Sequence, residues 1–222
     1  MNRAYAAAVA ILATVLVPMT VRAEPLTFTA VASSVARFTV HVPSAETVVG
    51  TVRGPRGAAG PGFVTATLVV DPAKPQETSG KISVDLGRLT TGVDMRDAHI
   101  RGKEYLDVGG GAVNRFAVFE VRRVDIVGPL APNTLTPAKV EGILTIKGKP
   151  VTTTADVRIT YVKPAADSVT TARTAAETGD VLRVQVAFHT SFTNHGMSVP
   201  EVLFLKATNG ILMEADLTLV HQ

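Results

Sequence analysis

The chain has 222 residues, with 22 lysines and arginines against 19 aspartates and glutamates, and it contains no cysteine. The absence of cysteine excludes disulfide bonds and thiol chemistry, so the fold depends on its hydrophobic core. The excess of positive charge is small, and it is smaller still without Arg3 and Arg22, so it gives no reason to expect nucleic-acid binding.

The first residues have the pattern of a secretory signal peptide. Arg3 precedes an apolar run at residues 4–17, and the segment closes on residues 21–23, which end in alanine. The apolar run is too short to cross a bilayer comfortably, so an uncleaved membrane anchor is the weaker alternative. We predict a signal peptide at 1–23, a single mature domain at 24–222 and a periplasmic location, which suits an exported chain without cysteine.

Apolar and polar residues alternate along most of the mature chain, which is typical of strands with one buried face. Such a sheet must close on itself or pack on a second sheet, and the hairpin-like order favours an all-β fold with short helices, an antiparallel up-and-down β-barrel. A β-sandwich is the alternative. The predicted strands lie near residues 37–42, 47–53, 64–70, 81–86, 116–127, 140–146, 151–161, 182–188 and 213–219.

One predicted strand does not keep a single register. Along residues 116–127 the alternation slips between Val118 and Phe119, which a β-bulge would explain. On this pattern Phe116 and Val118 face the barrel interior. Residues 54–62 and 163–179 are predicted to be connections between strands, because the first is rich in glycine and the second has almost no large apolar residue.

Two segments depart from the strand pattern. In Thr91–Asp107, apolar residues recur near helical spacing among charged ones, which predicts a short helix or pair of turns lying as a lid over an apolar surface. Ser198 stands three residues before Glu201 with Pro200 between them, as in a helix capping box. This predicts a second short helix, through Leu205, that plugs one end of the barrel.

No catalytic or metal-binding motif stands out. Asp97 and His99 would point away from each other on a helix, so an acid–base pair is poorly supported. The spacing of the histidines matches no recurrent set of metal ligands. We therefore expect no catalytic residue, no metal and no cofactor. The five histidines are His41, His99, His189, His195 and His221.

Three motifs in order resemble those of the YceI-like family. They are SVARFTVH at 34–41, TGVDMRDAH at 91–99 followed by YLD at 105–107, and GILTIKG at 142–148. The resemblance implies an exported, lipocalin-like barrel whose interior holds a long amphiphile. The chain departs from the family at 112–115, where the family commonly has Tyr-Pro, and at 194–196, where it has an acidic turn. These loops bear on the head group of the ligand more than on the fold.

From alternation and resemblance together we predict a periplasmic binding or carrier protein, not an enzyme, that sequesters an isoprenoid quinone, a polyprenyl chain or a fatty-acyl lipid. The strands supply mainly small apolar residues, which favours a cavity over a solid core, although the sequence leaves both open. The alternatives are an enzyme using Asp97 and His99 on a bound hydrophobic substrate and a ligand-free interaction module. Transient contact with a membrane and a homodimer also remain open.

The residues predicted to contact the ligand fall into two groups, those on the inner face of the barrel and those that close its mouth. The first group is Phe38, Val40, Val64, Ala66, Leu68, Ile82, Val84, Leu86, Phe116 and Val118, and the second is Met95, His99 and Leu106.

Overall fold

The computed structural model describes residues 24–43, 47–55, 62–163, 179–202 and 205–221. The predicted signal peptide lies outside these residues, as does most of each predicted connection at 54–62 and 163–179. Among the described residues, no helix has both the length and the apolar character needed to cross a membrane.

The described part of the chain is mainly β-structure, with two short α-helices and several single-turn 3₁₀ helices. The strands are β1 (Leu26–Ala30), β2 (Val35–His41), β3 (Thr47–Arg53), β4 (Val64–Val70), β5 (Ser79–Asp85), β6 (Phe116–Asp125), β7 (Leu135–Ile146), β8 (Lys149–Val162), β9 (Val181–Ser191), β10 (Glu201–Val202), β11 (Leu205–Lys206) and β12 (Gly210–His221). The helices are α1 (Asp94–Arg101) and α2 (Ala112–Arg115). The nine predicted strands correspond to β2–β9 and β12.

Eight strands form a closed antiparallel barrel. Strands β4 to β9 pair in chain order, β12 follows β9, and β1 pairs with both β12 and β4, which closes the ring. The alternation along β4 shows why the sheet closes: Val64, Ala66, Leu68 and Val70 are buried, while the residues between them are exposed. The predicted barrel is therefore confirmed.

Strands β1 and β2 act as two halves of one interrupted strand along β12. Ala30 is opposite Leu219, and Val35 is opposite Asp216. At the interruption the Ser34 hydroxyl accepts a hydrogen bond from the backbone N–H of Thr218 at 3.2 Å. On their other side, β1 pairs with β4 and β2 pairs with β3, so β2 and β3 extend the sheet beyond the ring.

The helix predicted for Ser198–Leu205 is wrong. Glu201 and Val202 instead pair with Lys206 and Leu205 as the small hairpin β10–β11. The backbone N–H of Ala207 also donates to the carbonyl of Pro200 at 2.8 Å. A helix of one or two turns is marginal without strong packing, whereas the hairpin gains backbone hydrogen bonds at once.

The bulge in β6 also lies in a different place. The pairing with β7 shifts between Val121 and Arg123, not between Val118 and Phe119. The ion pair of Glu120 with Arg122 lies on the exposed face, and alternation counted back from Glu120 turns Phe116 and Val118 outward. Both residues were predicted to face inward, which is wrong: Ala117 and Phe119 are the buried residues of this stretch.

Candidate functional site

An apolar cavity of about 120 Å³ lies inside the barrel. Its walls come from β2, β4–β9 and β12, and from Pro75, Thr78 and Leu130 in the connections beyond β4 and β6. Apart from Thr78 and Glu214, every wall residue in the described part of the chain is apolar. An engineered cavity of about 150 Å³ with such walls binds benzene and stays dry. The barrel interior is therefore suited to a hydrocarbon group and poorly suited to a charged one.

The residues predicted to lie on the inner face of the barrel fall into three groups in the structure. Leu68, Ile82 and Val84 line the cavity. Phe116 and Val118 lie on the outer face of β6. The remaining members pack in the hydrophobic core without lining the cavity, and they are Phe38, Val40, Val64, Ala66 and Leu86.

Sequence reasoning missed most of the cavity wall. In β6 the wall residues are Ala117, Phe119, Val121 and Val124, and the first two alternate with the predicted Phe116 and Val118. Most of the other missed residues lie on β7, β8, β9 and β12, whose alternation had been recognised without being used to name contacts. They are Val140, Leu144, Ala155, Val157, Ile159, Leu182, Val184, Val186, Phe188, Met213, Glu214, Ala215 and Leu217. The rest are Ala36 on β2, Val70 on β4, and Pro75, Thr78 and Leu130 in the connections.

The predicted lid is a helix, but its predicted contacts do not close the cavity. Met95 is 86% exposed, and neither it nor His99 nor Leu106 lines the cavity. His99 lies on the surface, with Nε2 at 3.3 Å from a carboxylate oxygen of Glu104 and its ring 5.1 Å from that of Tyr105. Leu106 is buried in the core. The prediction that Met95 and His99 close the mouth of the barrel is therefore wrong.

The residue that α1 buries is Asp97, which is 3% exposed. Its carboxylate accepts hydrogen bonds from the Thr90 hydroxyl at 2.6 Å, the Thr91 backbone N–H at 2.7 Å and the Thr91 hydroxyl at 2.5 Å. Burial raises the pKa of Asp97, but these hydrogen bonds and the charge of Arg101 together hold it below its ordinary value. Asp97 thus fixes α1 to the preceding turn, and these three hydrogen bonds do not involve the exposed His99.

A second buried carboxylate fixes the same end of the barrel. Asp85, at the end of β5, accepts two hydrogen bonds from the Arg115 guanidinium, at 3.1 and 2.9 Å, and one from the Gly87 N–H at 3.0 Å. Burial raises the pKa of Asp85, while these hydrogen bonds and nearby arginines bring it below its ordinary value. The ion pair of Asp85 with Arg115 joins β5 to α2.

His195 has a structural role in the turn after β9. It is fully buried; its Nδ1 lies 3.3 Å from the Lys149 carbonyl and its Nε2 lies 2.8 Å from the Thr190 hydroxyl. Because a carbonyl only accepts, Nδ1 carries the proton and Nε2 accepts from Thr190. Burial lowers the pKa of His195. Among the described residues, no three side chains able to bind a metal converge.

Two aromatic rings meet inside the barrel. The ring centroids of Phe119 on β6 and Phe188 on β9 are 5.9 Å apart, and both residues line the cavity. Strands β7 and β8 lie between β6 and β9 in the sheet, so this contact crosses the lumen.

Comparison with known structures identifies the same architecture. The chain is 17% identical to the crystal structure of BcnA from Burkholderia cenocepacia, with a TM-score of 0.58 over 84% of this chain and 96% of that one. It is 10% identical to a polyisoprenoid binding domain from Saccharophagus degradans implicated in plant cell wall breakdown, with a TM-score of 0.59 over 90% and 100%. For the YceI protein of Campylobacter jejuni the identity is 13% and the TM-score 0.54, over 82% and 89%.

At these identities the structural likeness establishes the fold alone. No curated protein sequence matches the chain. The sequence model of the YceI-like domain, in contrast, matches residues 26–218, a span that starts at β1 and reaches into β12. The closed eight-stranded barrel and this match together place the chain in the YceI-like family.

Proposed function

We propose that this protein binds the apolar chain of a lipid amphiphile inside its barrel and carries it through the periplasm. The almost wholly apolar lining of the cavity inside the barrel is the observation on which the proposal rests. Burying hydrocarbon stabilises a complex by about 0.8 kcal/mol per CH₂ group, so the cavity needs no polar contact to hold the apolar chain of a lipid.

The chemistry of the walls restricts the ligand. Among the described residues, no lysine or arginine lines the cavity, so a phosphate or carboxylate head group would lose its hydration there without gaining a partner. The head group therefore stays outside while part of the apolar chain lies in the cavity. A structural relative is described as a polyisoprenoid binding domain, which favours an isoprenoid quinone or polyprenyl chain over a fatty-acyl lipid.

An enzymatic role has little support from the geometry. Asp97, the candidate acid, is buried and already accepts three hydrogen bonds from Thr90 and Thr91. His99, the candidate base, lies on the surface beside Glu104. Neither residue lines the cavity, so a substrate bound there has no contact with them.

Native mass spectrometry of the protein isolated from its exported form tests the proposal. We expect a mature mass beginning near Glu24, a stoichiometric adduct, and a lipid released by organic extraction. Ala155→Leu fills the cavity and should lose the adduct, because Ala155 is fully buried in its wall. Val127→Leu, at a position 93% exposed and away from the cavity, should keep it.

Two outcomes would contradict the proposal. A clean apo mass with no uptake of added isoprenoids would mean that the cavity takes no lipid, and a ligand-free interaction module would then be the better reading. Recovery of the protein in the cytoplasm with residues 1–23 intact would refute the periplasmic location.

A further inference from the structure

The contact between Phe119 and Phe188, here called the phenylalanine bridge, is held in place by the neighbouring strand. A Cβ built on Gly142 of β7 would lie only 2.4 Å from Cζ of Phe119 and 2.6 Å from its Cε1. The ring therefore lies against the backbone of β7, in space that any side chain at Gly142 would occupy. Phe119 is 9% exposed, so its ring is packed and not free in solvent.

Large side chains continue the bridge on the side of Phe188. Phe188 is opposite Met213 on β12, and Met213 is opposite Phe38 on β2. The ring of Phe38 lies over Gly50, where an added Cβ would come within 1.8 Å of the ring. Two glycines thus make room for rings at the two ends of one layer that crosses the barrel.

The cavity lies mostly on one side of this layer. Beyond Phe119, β6 contributes Val121 and Val124 to the walls, and Pro75 and Leu130 close that end. On the opposite side, towards α1, Val84 and Ala117 still line the cavity, but the interior also holds buried apolar residues that do not line it. They include Leu86, Leu106 and Ile146.

We propose that the phenylalanine bridge sets how much of an apolar chain the barrel accepts, because an entering chain ends against the rings of Phe119 and Phe188. This inference rests on the proposed lipid-binding function. A cavity of about 150 Å³ holds one benzene molecule, so this cavity of about 120 Å³ accommodates about one isoprene unit. The rest of a longer lipid chain stays outside the cavity.

A series of isoprenoid alcohols tests the inference. Geraniol, farnesol and geranylgeraniol differ by one isoprene unit each, and their dissociation constants can be measured by displacement of an apolar fluorescent dye. In the wild-type protein we expect affinity to level off along the series. Phe119→Ala opens the bridge, and each further methylene enclosed then improves affinity about fourfold. We expect geranylgeraniol to gain at least tenfold over geraniol.

Three further variants make the result specific. Phe116→Ala is the matched control, since Phe116 lies on the same strand with its ring outside the barrel, and it should leave the series unchanged. Phe188→Leu shortens the other ring while keeping an apolar side chain, and it should shift the preference in the same direction if Phe119→Ala does not fold. Phe188→Trp should weaken binding of all three alcohols.

The possible failures are distinguishable. If wild-type affinity rises steeply through geranylgeraniol and the bridge variants do not change that rise, the rings move aside and the inference is wrong, while lipid binding stands. If neither the wild-type protein nor any variant binds any of the three alcohols, the proposed function itself fails, and the inference fails with it.

Discussion

The hydrogen bonds to Asp97 lead to a quantitative prediction for Asp97→Asn. The carboxylate accepts three hydrogen bonds, all of 2.7 Å or less, from Thr90 and Thr91. A hydrogen bond to a charged group contributes about 1.5–3 kcal/mol. Asparagine keeps one acceptor oxygen, and its NH₂ group can donate to a threonine hydroxyl that rotates to accept the hydrogen bond. Charge assistance is lost, but most of the geometry survives.

We therefore expect Asp97→Asn to lower the free energy of unfolding by about 2–4 kcal/mol, less than the sum of three charged hydrogen bonds. For a domain of this size that corresponds to a fall in Tm of roughly 5–15 °C. Urea denaturation followed by circular dichroism measures the first quantity and a thermal melt the second. Asp94→Asn is the matched control, because Asp94 is exposed in the first turn of the same helix and contributes about 0.3–1 kcal/mol through the helix dipole.

The pH dependence provides a second readout. Because the pKa of Asp97 lies below the ordinary value of 3.8 in the folded protein, its contribution is fully present above that value and is lost as the pH falls through the folded pKa. The difference between the wild-type protein and Asp97→Asn should therefore shrink below pH 3.8. Equal stability of the two proteins at neutral pH, or an equally large loss for Asp94→Asn, would refute the reasoning.

Three other substitutions test packing, pH response and a buried hydrogen bond. Gly142→Ala forces a Cβ into the ring of Phe119 and should cost about 1–3 kcal/mol in urea denaturation. His195 has a lowered pKa when folded, so stability should fall as the pH drops below its ordinary value of 6.5, and His195→Gln should remove that part of the pH dependence. Tyr161→Phe removes the hydrogen bond from the Tyr161 hydroxyl to Asp180 and should cost about 1–2 kcal/mol.

Each of these has a control or a contrary outcome. Gly210→Ala, in a strand position with nothing within 4 Å of the added Cβ, should be nearly neutral, so an equal loss there would contradict the packing argument for Gly142. An unchanged pH profile in His195→Gln would show that another group titrates in that range. If Tyr161→Phe is as stable as the wild-type protein, solvent replaces the lost hydrogen bond at Asp180.

The strand pattern could be predicted where one face of a strand is apolar and the other is not. In β4, valine, alanine and leucine alternate with residues that are mostly threonine, and this contrast alone fixes the buried face. The start of β6 has no such contrast, because Phe116 and Val118 are as apolar as Ala117 and Phe119. Only the pairing with β7 and the later charged residues decide its register.

The lid shows a different limit. Its helix could be predicted, but the buried residue of that helix is a carboxylate, Asp97, and its largest apolar side chain, Met95, is in solvent. Periodicity assigns apolar residues to the inside, and a buried Asp becomes favourable only once the turn at Thr90 and Thr91 supplies donors. The Phe119–Phe188 contact likewise could not be predicted from the sequence, because it depends on which strands face each other across the lumen.

The way β1 and β2 share β12 has a consequence for how the molecule assembles. Ser34 and Thr218, which meet at the interruption, are 184 residues apart, so this seam forms only after most of the chain has been made and brought together. Contacts of such long range are slow to form. Until β12 arrives, β1, β2 and β9 each present an unpaired edge, the kind of surface on which chains aggregate. We therefore expect partly folded molecules that lack the pairing of β12 to be the species most prone to aggregate.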